Sequence, residues 1–418
     1  MNEVQLPPHW KVRKLGEVCL NKTLTNPQKS PEDIFTYVDV SGVSNESFKI
    51  TDTKEILGKD APSRARQVIY NNDVIFATVR PTLKRVALIP PELDGQICST
   101  GFCVLRADPK YLYFTYLYFY LLINRINQKV EALQKGVTYP AINNSDLFGQ
   151  DIFFPPLPEQ KTIAHTLRTI QKAKETRQRE LELERERKAA LMQYLLTHGI
   201  RNEPCEEKEI GKIPKSWEVA TLEDMCLKIV DCPHSTPKLS STGIRTVKNV
   251  NVRNGRFVFE PAFYTTDEEY TERTKRLEPK EGDVLFSREA PIGEACLVPP
   301  NIKLSLGQRL MLLRTNPEKL NNFFLVQAFY SNYLKSKMIS LAGGVTAPHL
   351  NVSHVKKLKI PLPHISEQHE IANILKACDR KIQALETEIA LTDELFHAML
   401  EQLMTGKIST QPLSETYV

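Results

Sequence analysis

The sequence predicts an α+β fold built twice over: two globular segments of mixed strand and helix, each followed by a long helix, with the two helices packed as an antiparallel coiled coil. Three observations carry this reading. Four separate blocks of the 418-residue chain recur at an offset close to 208. A Pro-rich hinge precedes a long stretch in each copy, and the second of these stretches bears a heptad stripe.

The repeat begins near the start, where Pro8-His-Trp10-Lys-Val aligns with Pro214-Lys-Ser-Trp217-Glu-Val; Leu15 and Cys19 then match Leu222 and Cys226. Asp73-Val-Ile-Phe76 aligns with Asp283-Val-Leu-Phe286, and each is followed by a Pro-Pro turn. Gly136-Val-Thr138-Tyr-Pro140 matches Gly344-Val-Thr346-Ala-Pro348. Pro155-Pro-Leu-Pro-Glu159-Gln160 matches Pro363-His-Ile-Ser-Glu367-Gln368, and the tails still agree, with Leu195, Thr197 and Ile200 against Leu403, Thr405 and Ile408. A tandem duplication with a pseudo-two-fold relation explains blocks that keep one order and one spacing. The segments fall at 1–158, 159–199 (helix), 200–366, 367–409 (helix) and a short tail, 410–418.

Within each globular segment, Asp73–Val79 and Asp283–Ser287 are short β-rich runs bounded by turn residues. The aromatic stretches Tyr111–Val130 and Leu320–Ile339 are expected to be helical. Pro at 155–158 and 361–363 keeps the long helices from starting earlier. The Glu of each Glu-Gln pair then places a carboxylate near the positive helix start.

The second helix carries Ile371, Leu375, Cys378, Ile382, Leu385, Ile389, Thr392, Phe396, Met399 and Leu403, stepping by four and three, which demands a partner helix along its length. In the same phase the first helix has Ile163, Leu167, Ile170, Lys174, Arg177, Leu181, Glu184, Lys188, Leu191 and Leu195. Its ends are apolar and its middle is charged. The expectation is a pair with a slipped or wet centre, where Lys and Arg stems cover apolar surface and their charges reach water. The alternative is two separate surface helices. Each helix of about 37 residues is roughly 55 Å long. Antiparallel pairing would put one globular segment at each end, like the halves of a dimer. Two such readers on B-DNA would contact unlike half-sites about 34 Å apart.

Composition fits a soluble protein, at 41% hydrophobic and 25% charged residues, and a net charge of +5 permits a polyanionic partner. The eight Cys include no CxxC pair, no apolar run reaches membrane-spanning length, and the start lacks a secretory signal, so a cytoplasmic chain with reduced thiols is expected. There is no P-loop, no glycine-rich cofactor loop and no Asn-Pro-Pro-aromatic motif. Asp231, Cys232 and His234 lack a second ligand pair and read as a turn. His364 and His369 read as helix-start residues, and Glu278 and Glu281 as an exposed turn before a strand.

The duplicated unit, the Trp near the start of each copy, the Gly-Val-Thr turns and the Pro-Leu-Pro-Glu-Gln hinge together resemble the specificity subunits of type I restriction-modification systems, over nearly the whole chain. The resemblance implies two target-recognition domains, each reading part of a split double-stranded DNA site, and helices that set the gap and dock two methyltransferase (modification) subunits. It implies further restriction subunits, carrying motor and nuclease. S-adenosylmethionine, ATP and Mg are expected in those partners, with no cofactor, metal or catalytic site in this chain and no membrane contact. Two other readings are a coiled-coil adaptor that binds only proteins and an enzyme, either nuclease or methyltransferase.

DNA contacts are expected on polar loops. In the first copy these are Arg64 and Arg66; Thr78, Arg80, Lys84 and Arg85 after the Phe76 strand; and Lys135, Thr138 and Tyr139. In the second they are His234, Ser235 and Lys238; Lys248, Asn249 and Arg253; Ser287 and Arg288, read as counterparts of the turn after Phe76; Gln308 and Arg309; and Thr346 and His349. The seam residues expected to pair the helices are the apolar ones named above.

Overall fold

The computed structural model describes residues 6–136, 140–233, 235–343 and 348–410. It divides into two units: residues 1–178 with 387–418, and residues 179–386. This redraws the expected boundaries. Each long helix is shared, so that half of it folds with each unit. The helices run Leu157–His198 and Ile365–Met404, within a few residues of the expected starts; the second ends five residues early. No helix among the described residues is long and apolar enough to cross a membrane.

In the first unit, strand Lys11–Lys14 pairs antiparallel with Asp151–Phe154. This ribbon brings the start of the chain to the hinge. A four-stranded sheet follows, ordered Cys19–Leu20, Phe102–Ala107, Val74–Ala77, Val86–Leu88. Beside it lies a five-stranded sheet containing one parallel pair, Ile34–Val38 with Ile97–Ser99. Val74–Ala77 shows no polar alternation because both faces are buried. Val74 and Phe76 enter the core with Trp10, Tyr116, Phe119, Ile163, Leu167, Phe396 and Leu403. Ile75 and Ala77 enter a second core with Val38, Ile69 and Phe102.

The second unit repeats this plan. Glu218–Thr221 pairs with Lys359–Leu362. The four-stranded sheet keeps the same order: Cys226–Asp231, Leu310–Thr315, Val284–Ser287, Ala295–Leu297. Val284 and Phe286 face a core with Trp217, Phe324, Leu195, Ile371 and Leu375, whereas Leu285 faces a second core with Val247, Leu304 and Leu312. A three-stranded sheet again holds one parallel pair, Ile244–Val247 with Leu304–Leu306. The expected aromatic helices are each broken in two: Phe114–Tyr120 and Asn124–Leu133, then Asn322–Phe329 and Asn332–Leu341.

Within each unit the two long helices lie antiparallel. In the first, Lys174 pairs with Asp393, and Arg177 with Glu388 at 2.9 Å. In the second, Lys188 pairs with Asp379 at 2.8 Å, Arg185 with Glu386 at 2.8 Å, and Glu184 with Lys381 at 3.2 Å. The slipped or wet centre is therefore corrected: the charged stretch of the first helix meets opposite charges on the second. Of the expected seam, Ile163, Leu167, Leu181, Leu195, Ile371, Leu375, Ile382, Leu385, Phe396 and Leu403 are buried. Ile170, Leu191, Ile389 and Met399 are half-buried.

Candidate nucleic-acid interface

The motifs shared by the two copies build the frame on which the site stands. Trp10 donates its indole N–H to Glu159 at 3.4 Å, and Trp217 donates to Glu367 at 3.2 Å. Gln160 accepts from the Tyr113 N–H (2.8 Å) and donates to the carbonyls of Tyr111 and Pro155. Gln368 does the same with Asn321 (2.8 Å), Lys319 and Pro363. The Glu-Gln pair thus ties each hinge to the start of its globular segment and to its aromatic helices, beyond the expected charge at the helix start. Asp73 grips Arg106 through two bonds of 2.8 Å, and Asp283 grips Arg314 at 2.8 and 2.7 Å. This bidentate geometry ties the two central strands of each four-stranded sheet together at one end.

At the other end of each sheet, successive backbone contacts gather the candidate loops into one strip. In the first unit, Thr100 N–H reaches the Arg64 carbonyl and Thr78 N–H that of Gly101, both at 2.8 Å. Val79 then bridges Ala141, which bridges Lys135. In the second, Gly307 reaches Val247 at 2.7 Å and Arg288 reaches Arg309 at 3.1 Å. Glu289 bridges His349, which bridges Gly343. In both strips these main-chain contacts hold the described loop residues in place.

Arg64, Arg80 and Lys135 are exposed on the first strip, and Lys84 is half-buried beside Asn124 at 3.4 Å. Arg80 and Lys84 adopt left-handed backbone, φ 48° and 52°, so the chain turns sharply there. On the second strip Arg309 is exposed at φ 73°, with Glu289 at 3.8 Å; Gln308 and His349 are half-buried. Lys248 lies 3.9 Å over the Phe263 ring, and Ser235 and Lys238 are exposed in the neighbouring loop.

Several expected contacts turn inward and are corrected. Thr78 is buried and donates to the Gly101 carbonyl. Ser287 is fully buried and donates to Glu289 O. Arg288 is 8% exposed and ion-pairs with Asp231 at 3.2 Å. By backbone contacts Arg288 matches Thr78, which leaves Ala290 as the counterpart of Arg80. Arg85 donates to the carbonyls of Val40 and Ser41, Arg253 to that of Val252, and the Asn249 amide to those of Glu289 and Ala290. These three brace loops. Arg66 is half-buried, donating to Ala65 O and Gln28. Thr138, Tyr139, His234 and Thr346 lie outside the described residues.

Sequence reasoning missed Arg245, whose guanidinium lies 5.6 and 5.4 Å from the Phe257 and Phe259 ring centroids. Among the described residues no three potential metal ligands cluster. His364 contacts Ser366 and His369 contacts Asn321, as helix-start residues do. Glu278 accepts from the Tyr270 hydroxyl. Burial pushes the thiols of Cys98, Cys103 and Cys226 up to about 12, so they stay protonated and unreactive.

The family described as the type I restriction modification DNA specificity domain matches twice, at residues 7–185 and 214–392. The MjaX specificity subunit of Methanocaldococcus jannaschii, described as a type I restriction enzyme component, is 27% identical, over 97% of this chain and 95% of its own. Among solved structures, the HsdS subunit from Thermoanaerobacter tengcongensis is 30% identical, covers 97% of this chain and 99% of its own, and superposes with a TM-score of 0.53. A chain from a study of complex assembly and conformational transition of the type I R-M system is also 30% identical, covers 97% and 100%, and reaches 0.64.

Proposed function

The chain belongs to the type I restriction-modification DNA specificity family, and from that premise we propose that it selects the DNA site for an adenine-methylating and restricting complex while performing no chemistry itself. Each globular segment reads one half of an asymmetric, bipartite sequence in double-stranded DNA. The paired helices set the unread spacer and dock two modification subunits, to which restriction subunits join. S-adenosylmethionine belongs to the modification subunits, and ATP and Mg to the restriction subunits; this chain holds none of them. The complex works in the cytoplasm.

One observation carries the reading. Two strips of the same backbone geometry, set on the same frame, present different side chains: Arg64, Arg80 and Lys135 on one, Lys248, Arg309 and His349 on the other. A frame repeated with its surface varied is what reading two unlike half-sites requires. Cationic side chains on satisfied loops can contact phosphates and base edges without unfolding the loop.

The test is assembly with a modification subunit followed by mapping of methylated adenines. A single split motif with a fixed gap is expected. Lengthening both long helices by one repeat in register changes the gap and leaves both half-motifs intact. Replacing Lys135 by Ala flattens the salt dependence of DNA affinity by about one unit if it neutralises one phosphate. An unsplit motif, or half-motifs that change with helix length, would refute the assignment.

A further inference from the structure

Each globular segment touches its own following helix at a second station beyond the hinge. In the second unit, Val252–Arg253 and Arg256–Phe257 form a short hairpin around Asn254 and Gly255, both at positive φ (51° and 80°). Its turn is pinned from behind. The Tyr330 hydroxyl accepts from Gly255 N–H (2.8 Å) and Ala295 N–H (3.1 Å) and donates to Glu294 (2.8 Å), which also accepts from Asn254 N–H at 2.6 Å. From this fixed hairpin Arg256 reaches Glu386 at 2.9 Å and Asp379 at 3.5 Å, both on the second long helix. The same carboxylates hold Arg185 (2.8 Å) and Lys188 (2.8 Å) of the first long helix. One head-borne arginine thus completes an alternating chain of five charges across both helices.

The first unit has a counterpart at the same station. Its loop, closed by the Val43–Ile50 bridge, sends Lys49 to Glu175 at 2.7 Å, and Gln171 donates to the Tyr118 hydroxyl at 3.4 Å. Gln171 and Asp379 stand 208 apart, on the repeat. The station lies twelve residues past Glu159 or Glu367, hence about 18 Å along the helix. The core packed on Ile371 and Leu375 seats the second segment beside its hinge, and the Arg256 contact, about 18 Å along the helix, holds the far end against tilting. Across that arm a displacement of one base-pair step, about 3.4 Å, corresponds to a tilt of roughly 11°.

We propose that Arg256 is a positioning residue that fixes the tilt of the second reading segment on the helical pair, and thereby the spacer length the complex accepts. It acts through Asp379 and Glu386 and not through DNA. The inference rests on the bipartite-reader assignment above. The two struts differ in chemistry. Arg256 engages two carboxylates already paired with Arg185 and Lys188 of the first helix, whereas Lys49–Glu175 is a single pair with side chains 52% and 35% exposed.

The experiment uses the reconstituted complex with its modification subunits, on duplexes carrying the mapped half-motifs at the native gap and at one base pair more or less. The wild-type complex methylates the native gap. R256A is expected to raise the ratio of off-gap to native-gap methylation at least tenfold, with both half-motifs unchanged. R256K recovers part of the discrimination, since one ammonium can still hold one carboxylate. The D379N/E386Q pair reproduces R256A without touching the head, which covers the case in which R256A fails to fold. Wild-type discrimination retained in both R256A and D379N/E386Q overturns this inference alone, as does a changed half-motif in R256A, which would place Arg256 on DNA. A wild-type complex with no fixed gap overturns the bipartite-reader assignment instead.

Discussion

Replacing Glu367 by Ala is expected to destabilise the second unit far more than replacing Glu159 by Ala destabilises the first, although the two residues occupy the same motif. The Glu367 side chain is 1% exposed; it accepts from the fully buried Trp217 indole at 3.2 Å and the Ile200 N–H at 3.1 Å, with Arg201 at 3.7 Å. Truncation leaves the buried Trp217 indole unpaired and the half-buried Ile200 N–H without its acceptor, so a loss of roughly 2–4 kcal/mol follows. Glu159 is 23% exposed and its Trp10 contact is a long 3.4 Å. Water can replace it, and the loss should be about 1 kcal/mol or less. The chain has two Trp, one in each unit, so each unit can be followed separately, which matters where a two-unit protein departs from two-state unfolding. In a Trp10→Phe background, Trp217 fluorescence reports urea unfolding of the second unit. With an m-value of about 2–3 kcal/mol/M, E367A should lower the midpoint by about 1 M or more. In a Trp217→Phe background, E159A should move it by a few tenths. Equal shifts, or a larger one for E159A, would refute the argument that burial decides the value of the shared contact.

Three further outcomes are expected. A double-mutant cycle on Lys188 and Asp379, whose side chains are 16% and 23% exposed, should give a coupling of about 1 kcal/mol by urea unfolding, above the few tenths typical of exposed pairs; no coupling would mean that the charged seam does not stabilise helix pairing. Gly406→Ala should lower the first unit's urea midpoint at a cost of about 1–3 kcal/mol, because φ is 68° and an added Cβ would lie 2.5 Å from Pro7 Cδ. Gly211→Ala, at φ 100° with nothing within 4 Å, serves as the control for backbone strain without a clash. Finally, Arg187 and then Lys381 hold the Glu184 carboxyl below its ordinary 4.5, and at Glu386 the pull of Arg185 and Arg256 outweighs the upward push of burial. Folded values below unfolded ones add stability that is present above about 4.5 and disappears as pH falls through the folded values. The second unit's urea midpoint should therefore fall below pH 4.5, and the fall should be smaller in E184Q/E386Q.

The duplication, the hinges and the apolar seam were legible because each is a local pattern repeated or periodic in one dimension. The charged middle of the first helix misled for the opposite reason. Lys174, Arg177 and Lys188 look like seam defects until the antiparallel register sets them against Asp393, Glu388 and Asp379, and that pairing is not written near them in the chain. Arg288 misled in a similar way. An arginine beside a strand reads as a surface contact, but Asp231, far away in sequence, gives it an interior partner. The Glu-Gln pair was found as a motif, while its work (binding an indole and stitching carbonyls) depends on residues about 150 and 50 positions away.

The same physics explains why the two copies diverge where they do. Trp10 and Trp217, Gln160 and Gln368, and Asp73 and Asp283 each satisfy a specific buried or backbone partner, so changing one strands another polar group. Exposed positions along the strips are freer, although Thr78, Ser287 and Arg288 on the same strips have interior partners. Arg80 stands where the second copy has Ala290, Gly101 where it has Arg309, and Lys135 where it has Gly343. At Lys135 and Gly343 the bonds that hold the loop are made by main-chain atoms, so the side chain can be exchanged with the loop left in place; at Ala290 the Asn249 amide also holds the carbonyl, and a Cβ at Gly101 would lie 2.8 Å from Val40 Cγ2. At the positive-φ sites, Arg309 at 73° and Arg80 at 48°, the exchange is narrower, because β-branched side chains fit the left-handed region poorly. A reader built this way can change the bases it prefers through substitutions that cost the fold a few tenths of a kcal/mol, whereas a change in the frame alters both reading and folding at once.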